Sequence, residues 1–168
     1  MAKTYLDELV EYPAKAIQKI GTTKDVVSLL TDNATVDMDS DEADEVFDKY
    51  LYDYGYVDNT ITEARAFVCV EAELMRTPTP TVQDLRLFVT VICHKEYMAL
   101  DHKRFASIIG NRRDNLVREI DKVLNGSEVF GIGVLTLDSV KTVSSPTGFT
   151  AREITYSISD FRNKGVVR

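Results

Sequence analysis

The chain has 168 residues, 44% of them hydrophobic and 28% charged. That is one domain's worth of globular protein, too apolar for a disordered chain and without the ~18-residue apolar run of a membrane helix. Twenty basic against 27 acidic residues leave a net charge of -7, a poor balance for gripping a phosphate backbone, and two cysteines exclude a disulfide framework.

The opening stretch, residues 1–8, is charged and carries no secretory apolar run, so folding in a reducing cytoplasm is expected. Residues 4–31 read as helical. Tyr5, Leu6, Leu9 and Val10 recur at helix spacing, Pro13 is placed to open a second turn of helix carrying Ile17 and Ile20, and Gly21 ends it. Thr22 or Thr23 then caps a short helix bearing Val26, Val27, Leu29 and Leu30. Residues 32–45 are acidic, poor in apolar anchors, and read as a solvated loop. Val46, Phe47, Tyr50, Leu51, Tyr52, Tyr54 and Tyr56 follow closely, and an aromatic cluster of that density calls for docking on the main body or on a neighbouring subunit.

From 62 to 74 the pattern alternates. Ala64, Ala66, Val68, Val70, Ala72 and Leu74 share one face, while Glu63, Arg65, Phe67, Cys69, Glu71 and Glu73 share the other. Residues 77–81, with Pro78 and Pro80, interrupt the ladder. A second strand carries Leu85, Leu87, Val89, Val91 and Cys93 on one side, and the pair reads as an antiparallel hairpin with a stiff, projecting tip. Residues 97–110 read as a short helix or irregular segment. Leu116, Val117, Ile120, Val123 and Leu124 mark an amphipathic helix that Asn125-Gly126 closes with a left-handed cap. Two more strands, 130–139 and 150–160, are joined by the turn chemistry of residues 144–148. Gly131-Ile132-Gly133 points to a bulge or to a close backbone approach. Residues 162–168 form a short basic tail. The expectation is a single α+β domain over 1–168, an antiparallel sheet of about four strands in two hairpins, with helices on one face.

Little catalytic chemistry is spelled out. Asp37, Asp39 and Asp41 have the first spacings of a calcium loop, but Glu42 stands where glycine is needed and Asp48 where the closing glutamate belongs. Cys93 and His94 point to opposite faces of a strand and cannot share a zinc, so Cys69 and Cys93 read as buried thiols. Phosphate loop, nucleophile elbow and metalloprotease helix are all missing, and no catalytic, metal or cofactor site is assigned. Lys103, Arg104, Arg112, Arg113 and Arg118 are the main basic concentration. Arg104, Arg112, Arg113 and Arg118, with Tyr50, Tyr52, Tyr54, Tyr56 and the tip prolines Pro78 and Pro80, are the candidate interface residues.

The runs 54–71 (Tyr-Gly-Tyr-Val-Asp-Asn-Thr-Ile-Thr-Glu-Ala-Arg-Ala-Phe-Val-Cys-Val-Glu) and 82–95 (Val-Gln-Asp-Leu-Arg-Leu-Phe-Val-Thr-Val-Ile-Cys-His-Lys) resemble the sheet of small tail-terminator and neck proteins of tailed phages. So do Arg113-Asp114-Asn115-Leu116 through Phe130-Gly131-Ile132-Gly133, and Ile154-Thr155-Tyr156 with Asp160-Phe161; together these cover roughly residues 44–161. The resemblance implies an α+β virion component, folded in the host cytoplasm, that forms a homo-oligomeric, usually hexameric, ring at the head-proximal end of a phage tail or tail-like bacteriocin. Its partners would be the tail tube protein, a neck or head-closure protein and, in contractile particles, the sheath. DNA would only pass through the lumen, and an acidic lining suits that passage. Two other readings stay open: a different neck or head-closure position, and a small cytoplasmic α+β ligand-binding domain.

Overall fold

A computed structural model describes residues 6–55, 63–79 and 82–161. Helix α1 (Asp7–Gly21) opens with Asp7 and Glu8 and has Lys19 in its last turn, each charge complementing the helix dipole. It buries Glu8, Tyr12, Ala16 and Ile20, one face at four-residue spacing. Pro13, placed to open a further turn, lies inside this helix. The hydrogen bond lost at the proline is outweighed because the residues around it stay buried against the body of the domain. Helix α2 (Lys24–Thr31) buries five residues in a row, 26–30, and ends in a left-handed Asp32 with φ 59°. Thr23 sits at its start without capping through its side chain, which instead donates to the Lys19 carbonyl at 2.8 Å.

The acidic stretch is less solvated than its composition suggests. Val36 and Ala43 are buried in the core, Asn33 donates to the Glu42 carboxylate at 2.8 Å, and two short helices follow, α3 (Asp41–Asp44) and α4 (Val46–Lys49). A few small apolar residues are enough to pin it, which a count of charges hides. Gly21 permits this packing, since a Cβ there would lie 2.5 Å from the Phe47 ring.

The sheet has five strands in the order β1-β2-β3-β5-β4: β1 (Leu51–Tyr52), β2 (Ala66–Thr79), β3 (Val82–His94), β4 (Ile132–Val143) and β5 (Phe149–Phe161). The two expected hairpins, β2–β3 and β4–β5, are present, and β3 pairs antiparallel with β5 in the middle. The fifth strand is the unexpected one. β1 runs parallel to β2 with Leu51 beside Val68, built from the aromatic run that was expected only to dock. Two residues are too few to show a period.

Helix α5 (Arg112–Leu124) is capped by Asn111, whose side-chain oxygen accepts the Asp114 N–H at 2.9 Å. Its exit differs in detail from a left-handed Asn-Gly cap. Asn125 is extended and only Gly126 has a positive φ, 77°. The Gly126 N–H then bonds the Leu135 carbonyl at 2.8 Å, and Leu135 N–H bonds the Ser127 carbonyl at 2.8 Å. This turn covers part of the otherwise open outer edge of β4, which limits chance strand addition. Gly131 does allow a close approach. Its φ is 64°, and a Cβ would stand 2.4 Å from the Ser159 carbonyl oxygen. The neighbouring register breaks between Ile132 and Thr136, as a bulge does.

Helices and sheet enclose one main core. Val68, Val70, Leu87, Val89, Leu116, Ile120, Leu124, Leu135 and Ile154 are all 0% exposed, as the alternation and the helical stripe predict. The opposite face of the sheet carries a second apolar cluster, Phe67, Cys69, Ile92, Phe149 and Ala151, with Tyr52 and Val143 packed on it. Strand β2 is therefore buried on both faces from Ala66 to Val70, where a polar outer face was expected. Beyond Ala72 its residues are exposed through Thr79. The strand runs through Pro78 instead of stopping before it, with register shifts between Leu74 and Arg76 and between Arg76 and Thr79. Those irregularities accommodate a residue that cannot donate to a ladder. Pro80 and Thr81 lie outside the described residues.

Candidate functional site

The five basic residues group around the start of α5 and the segment before it, yet they do different work. Arg112 is the largest departure from the expected interface role. Its side chain is 2% exposed. Nε donates to the Tyr97 carbonyl at 2.8 Å, Nη1 to the Leu29 carbonyl at 2.6 Å, and Nη2 to the Asp32 carboxylate at 2.5 Å. The guanidinium also lies 4.0 Å from the centre of the Tyr97 ring, a cation–π arrangement. Arg112 thus ties α2, α5 and the 97–99 segment together from inside the subunit, and offers nothing to a neighbour. A cation in the first turn of a helix opposes the helix dipole. That conflict is the one sequence signal that Arg112 answers to other partners.

Arg104 is half-exposed and reaches Asp32 at 3.0 Å and Asp101 at 3.1 Å. Arg118, also half-exposed, pairs with Glu119 at 2.9 Å. Arg113 is mostly buried against Asp114 at 3.0 Å, and Arg152 meets the same carboxylate at 2.8 Å. Burial works against ionisation of Asp114, but the Asn111 hydrogen bond and the two guanidinium groups outweigh it and hold the carboxyl below its usual range. Glu119 behaves the same way: burial opposes its charge, and Lys122 and Arg118 overcome it. Each of the four candidate arginines therefore has an acid within its own subunit.

Arg104 and Arg118 meet at one place, a cleft of about 310 Å³ between α2, α5 and the 104–108 segment, whose lining includes Asp25, Leu29, Phe105 and Glu119. The aromatic candidates lie elsewhere, along β1. Tyr50 is half-buried on the main core. Tyr52 stands edge-on to Phe67 at 6.2 Å and 5.4 Å from Tyr54, which is exposed. Tyr56 lies outside the described residues. Pro78 is exposed on the distal half of β2. The exposed candidates therefore lie at three places, the cleft, the β1 side and the distal half of β2.

The calcium-like spacing is used locally: the Asp37 carboxylate accepts the Asp39 N–H at 3.1 Å. Among the described residues no three His, Cys, Asp or Glu side chains converge on a point where a metal could sit. Cys69 and Cys93 are free and buried, and burial pushes their thiols up to about 12 and about 11. Near neutral pH both should resist alkylation in the folded protein and react fully once it is unfolded in urea, as a mass shift would record. Rapid labelling without urea would contradict their burial. Burial together with the Asp160 and Asp121 carboxylates likewise raises the phenols of Tyr12 and Tyr156, each of which donates to its carboxylate across the helix–sheet junction.

These features define an α+β domain whose candidate arginines are spent on holding its own elements together. The family model YomW matches residues 24–158, and the chain belongs to the YomW family, a prophage-associated family. No curated protein matches the chain.

Proposed function

We propose that this chain is a non-enzymatic structural subunit of a tailed phage or tail-like particle, forming a ring, most simply a hexamer, at the head-proximal end of the tail. The ring ends tube growth and joins the tail to the neck or head-closure protein, meeting the sheath where the tail contracts. The observation that carries this reading is the arm formed by the distal half of β2, an edge strand exposed from Glu73 to Thr79 in a chain of a prophage-associated family. The exposed side chains of this edge take no part in the monomer's core, whereas the facing start of β3 is held inside the sheet by β5. It is suited to engage a neighbouring copy or a neck component.

Ring order depends on two different patches meeting. Because Arg104, Arg113 and Arg118 already have internal partners, contacts from them across a rim are worth only ~0–1 kcal/mol each. Apolar contacts, Tyr54 and the arm's Leu74 and Met75 among them, would carry most of the affinity.

The test is light scattering and electron microscopy of the purified protein, alone and with the tube protein. Rings that cap tubes are expected. Removing residues 77–81 should leave thermal unfolding unchanged and abolish capping. A protein that stays monomeric at every concentration and leaves tube length unaltered would sink the proposal.

A further inference from the structure

The sheet has two outer edges, β2 and β4, and each is open over only part of its length. On the β2 side, β1 pairs no further than Cys69. Gly55 then packs on the Glu71 carboxylate, where a Cβ would stand 2.8 Å from Oε2, so among the described residues the line beside β2 is clear only from Ala72. The register shift after Leu74 ends the regular stretch. On the β4 side, the turn after α5 occupies the edge at Leu135, and Asn125 Oδ1 accepts the Leu137 N–H at 3.3 Å. Residues 139–143 lie beyond that cover.

Backbone direction decides what fits. In an antiparallel ladder successive residues alternate between bonding the neighbour on one side and the neighbour on the other. Val68 gives its N–H outward, to the Tyr50 carbonyl at 2.8 Å, so the even residues of β2 point away from β3. Ala72 and Leu74 therefore present N–H and C=O to the open side, and among the described residues neither has a partner there. Leu135 also points outward, and the extra residue between Leu137 and Ser139 moves the outward set to Val140 and Thr142. We propose that β4 of a second copy adds to β2 as an antiparallel strand, with Ala72 opposite Thr142 and Leu74 opposite Val140. The proposal rests on the ring reading above and supplies its subunit-to-subunit contact.

The side chains agree with that register. Leu74 and Val140, 38% and 39% exposed, lie on the helix-covered face of the sheet and would cover one another. Glu73 and Lys141 lie on the other face and meet in the non-hydrogen-bonded position between the two backbone pairs, where side chains come closest. Glu73 is exposed and has no ion-pair partner among the described residues. Lys141 reaches Glu153 at 2.9 Å yet stays more than half exposed, so it can bridge two carboxylates. A two-residue slip sets Lys141 opposite Glu71, under Gly55, or opposite Met75, in the irregular stretch. Self-pairing is disfavoured by the same charges. β2 against β2 over 72–74 sets Glu73 opposite Glu73, and β4 against β4 over 140–142 sets Lys141 opposite Lys141. Within the sheet β4 already runs opposite to β2, through three antiparallel steps. Copies set side by side in one orientation therefore bring the two edges together, the head-to-tail contact from which rings close.

The experiment is charge exchange between full-length chains. Glu73→Lys alone and Lys141→Glu alone should each raise the protein concentration needed for rings roughly tenfold, because like charges then face each other at every contact. An equal mixture of the two variants should form rings at the parent concentration, since alternating copies restore opposite charges at each joint. A variant that had failed to fold would not be rescued in this way, and the buried native thiols, unreactive in a folded chain, check each variant. Register is tested by Glu73→Cys with Lys141→Cys in one chain, which under mild oxidant should give a ladder of disulfide-linked multimers. Closure within a single chain is out of reach, as the two strands stand three spacings apart, ~14 Å. Rings that ignore both reversals and give no ladder would overturn the strand addition and leave the ring reading standing. A ladder from chains that assemble only into open filaments would support the strand addition and overturn the ring. Folded chains giving neither rings nor ladder overturn both. A ladder formed as fast by Glu71→Cys with Lys141→Cys would overturn the register.

Discussion

Replacing Arg112 by alanine is expected to destabilise the domain by about 3–5 kcal/mol, the range for breaking a buried charged pair from one side. Four acceptors lose their donor at once: the carbonyls of Tyr97, Leu29 and, more weakly, Ala99, and the carboxylate of Asp32. Asp32 is partly exposed and keeps Arg104, so water and that second guanidinium recover part of its share. Leu29 is buried, and its carbonyl has no such recourse. The Tyr97 ring also loses the planar group stacked on it. Arg112→Lys should recover only a fraction, because one ammonium cannot serve carbonyls on two sides and a carboxylate as the guanidinium fork does. The measurement is urea unfolding, read as a shift in midpoint at constant slope. A loss under 1 kcal/mol for alanine would mean that the three segments hold together without this side chain.

The second large effect is expected in the main core. Leu87→Ala in β3 and Ile120→Ala in α5 should each cost about 2–5 kcal/mol, the transfer loss plus an incompletely collapsed cavity. Both side chains are 0% exposed and belong to the same cluster, with Leu87 flanked by Ala72 on β2 and Tyr156 on β5. Ala72 cannot swell to fill the space, so the Leu87 site should lie in the upper half of the range. If both variants unfold within half a kcal/mol of the parent, the assignment of inward faces is reversed. A double variant costing clearly less than the sum would show that the two residues share one cavity.

The proposed assembly sits on a different energy scale from these. Internal pairing leaves the exposed arginines as weak electrostatic contributors. Reversing Arg118 to Glu would therefore disturb the Glu119 and Lys122 group before it disturbed a neighbour. This is why assembly is better tested through the arm, whose exposed side chains lie outside the core.

Much of the framework was legible from residue order. Alternation along Val68, Val70, Leu87, Val89 and Ile154 placed four long strands in two hairpins and named their inward faces, because a strand repeats every two residues and burial follows that period. The stripe of Leu116, Ile120 and Leu124 named α5 and its buried side for the same reason at a period of 3.6. Gly131, with no side chain to hinder a close approach, marked the irregular start of β4.

What residue order could not supply depends on partners far away in the chain. Arg112 and Arg113 are identical and adjacent, and only the packing of α2 and the 97–99 segment around the first decides that one is a buried pin and the other a half-covered pair with Asp114. The second apolar cluster exists because Phe149 and Tyr52 arrive on the back of β2 from opposite ends of the sequence. Strand β1 exists because the chain after α4 is carried alongside Val68. Local periodicity determined which residues turn inward. Tertiary structure alone decided which charges were left for a neighbour, since a charge is free for one only where folding brings it no partner.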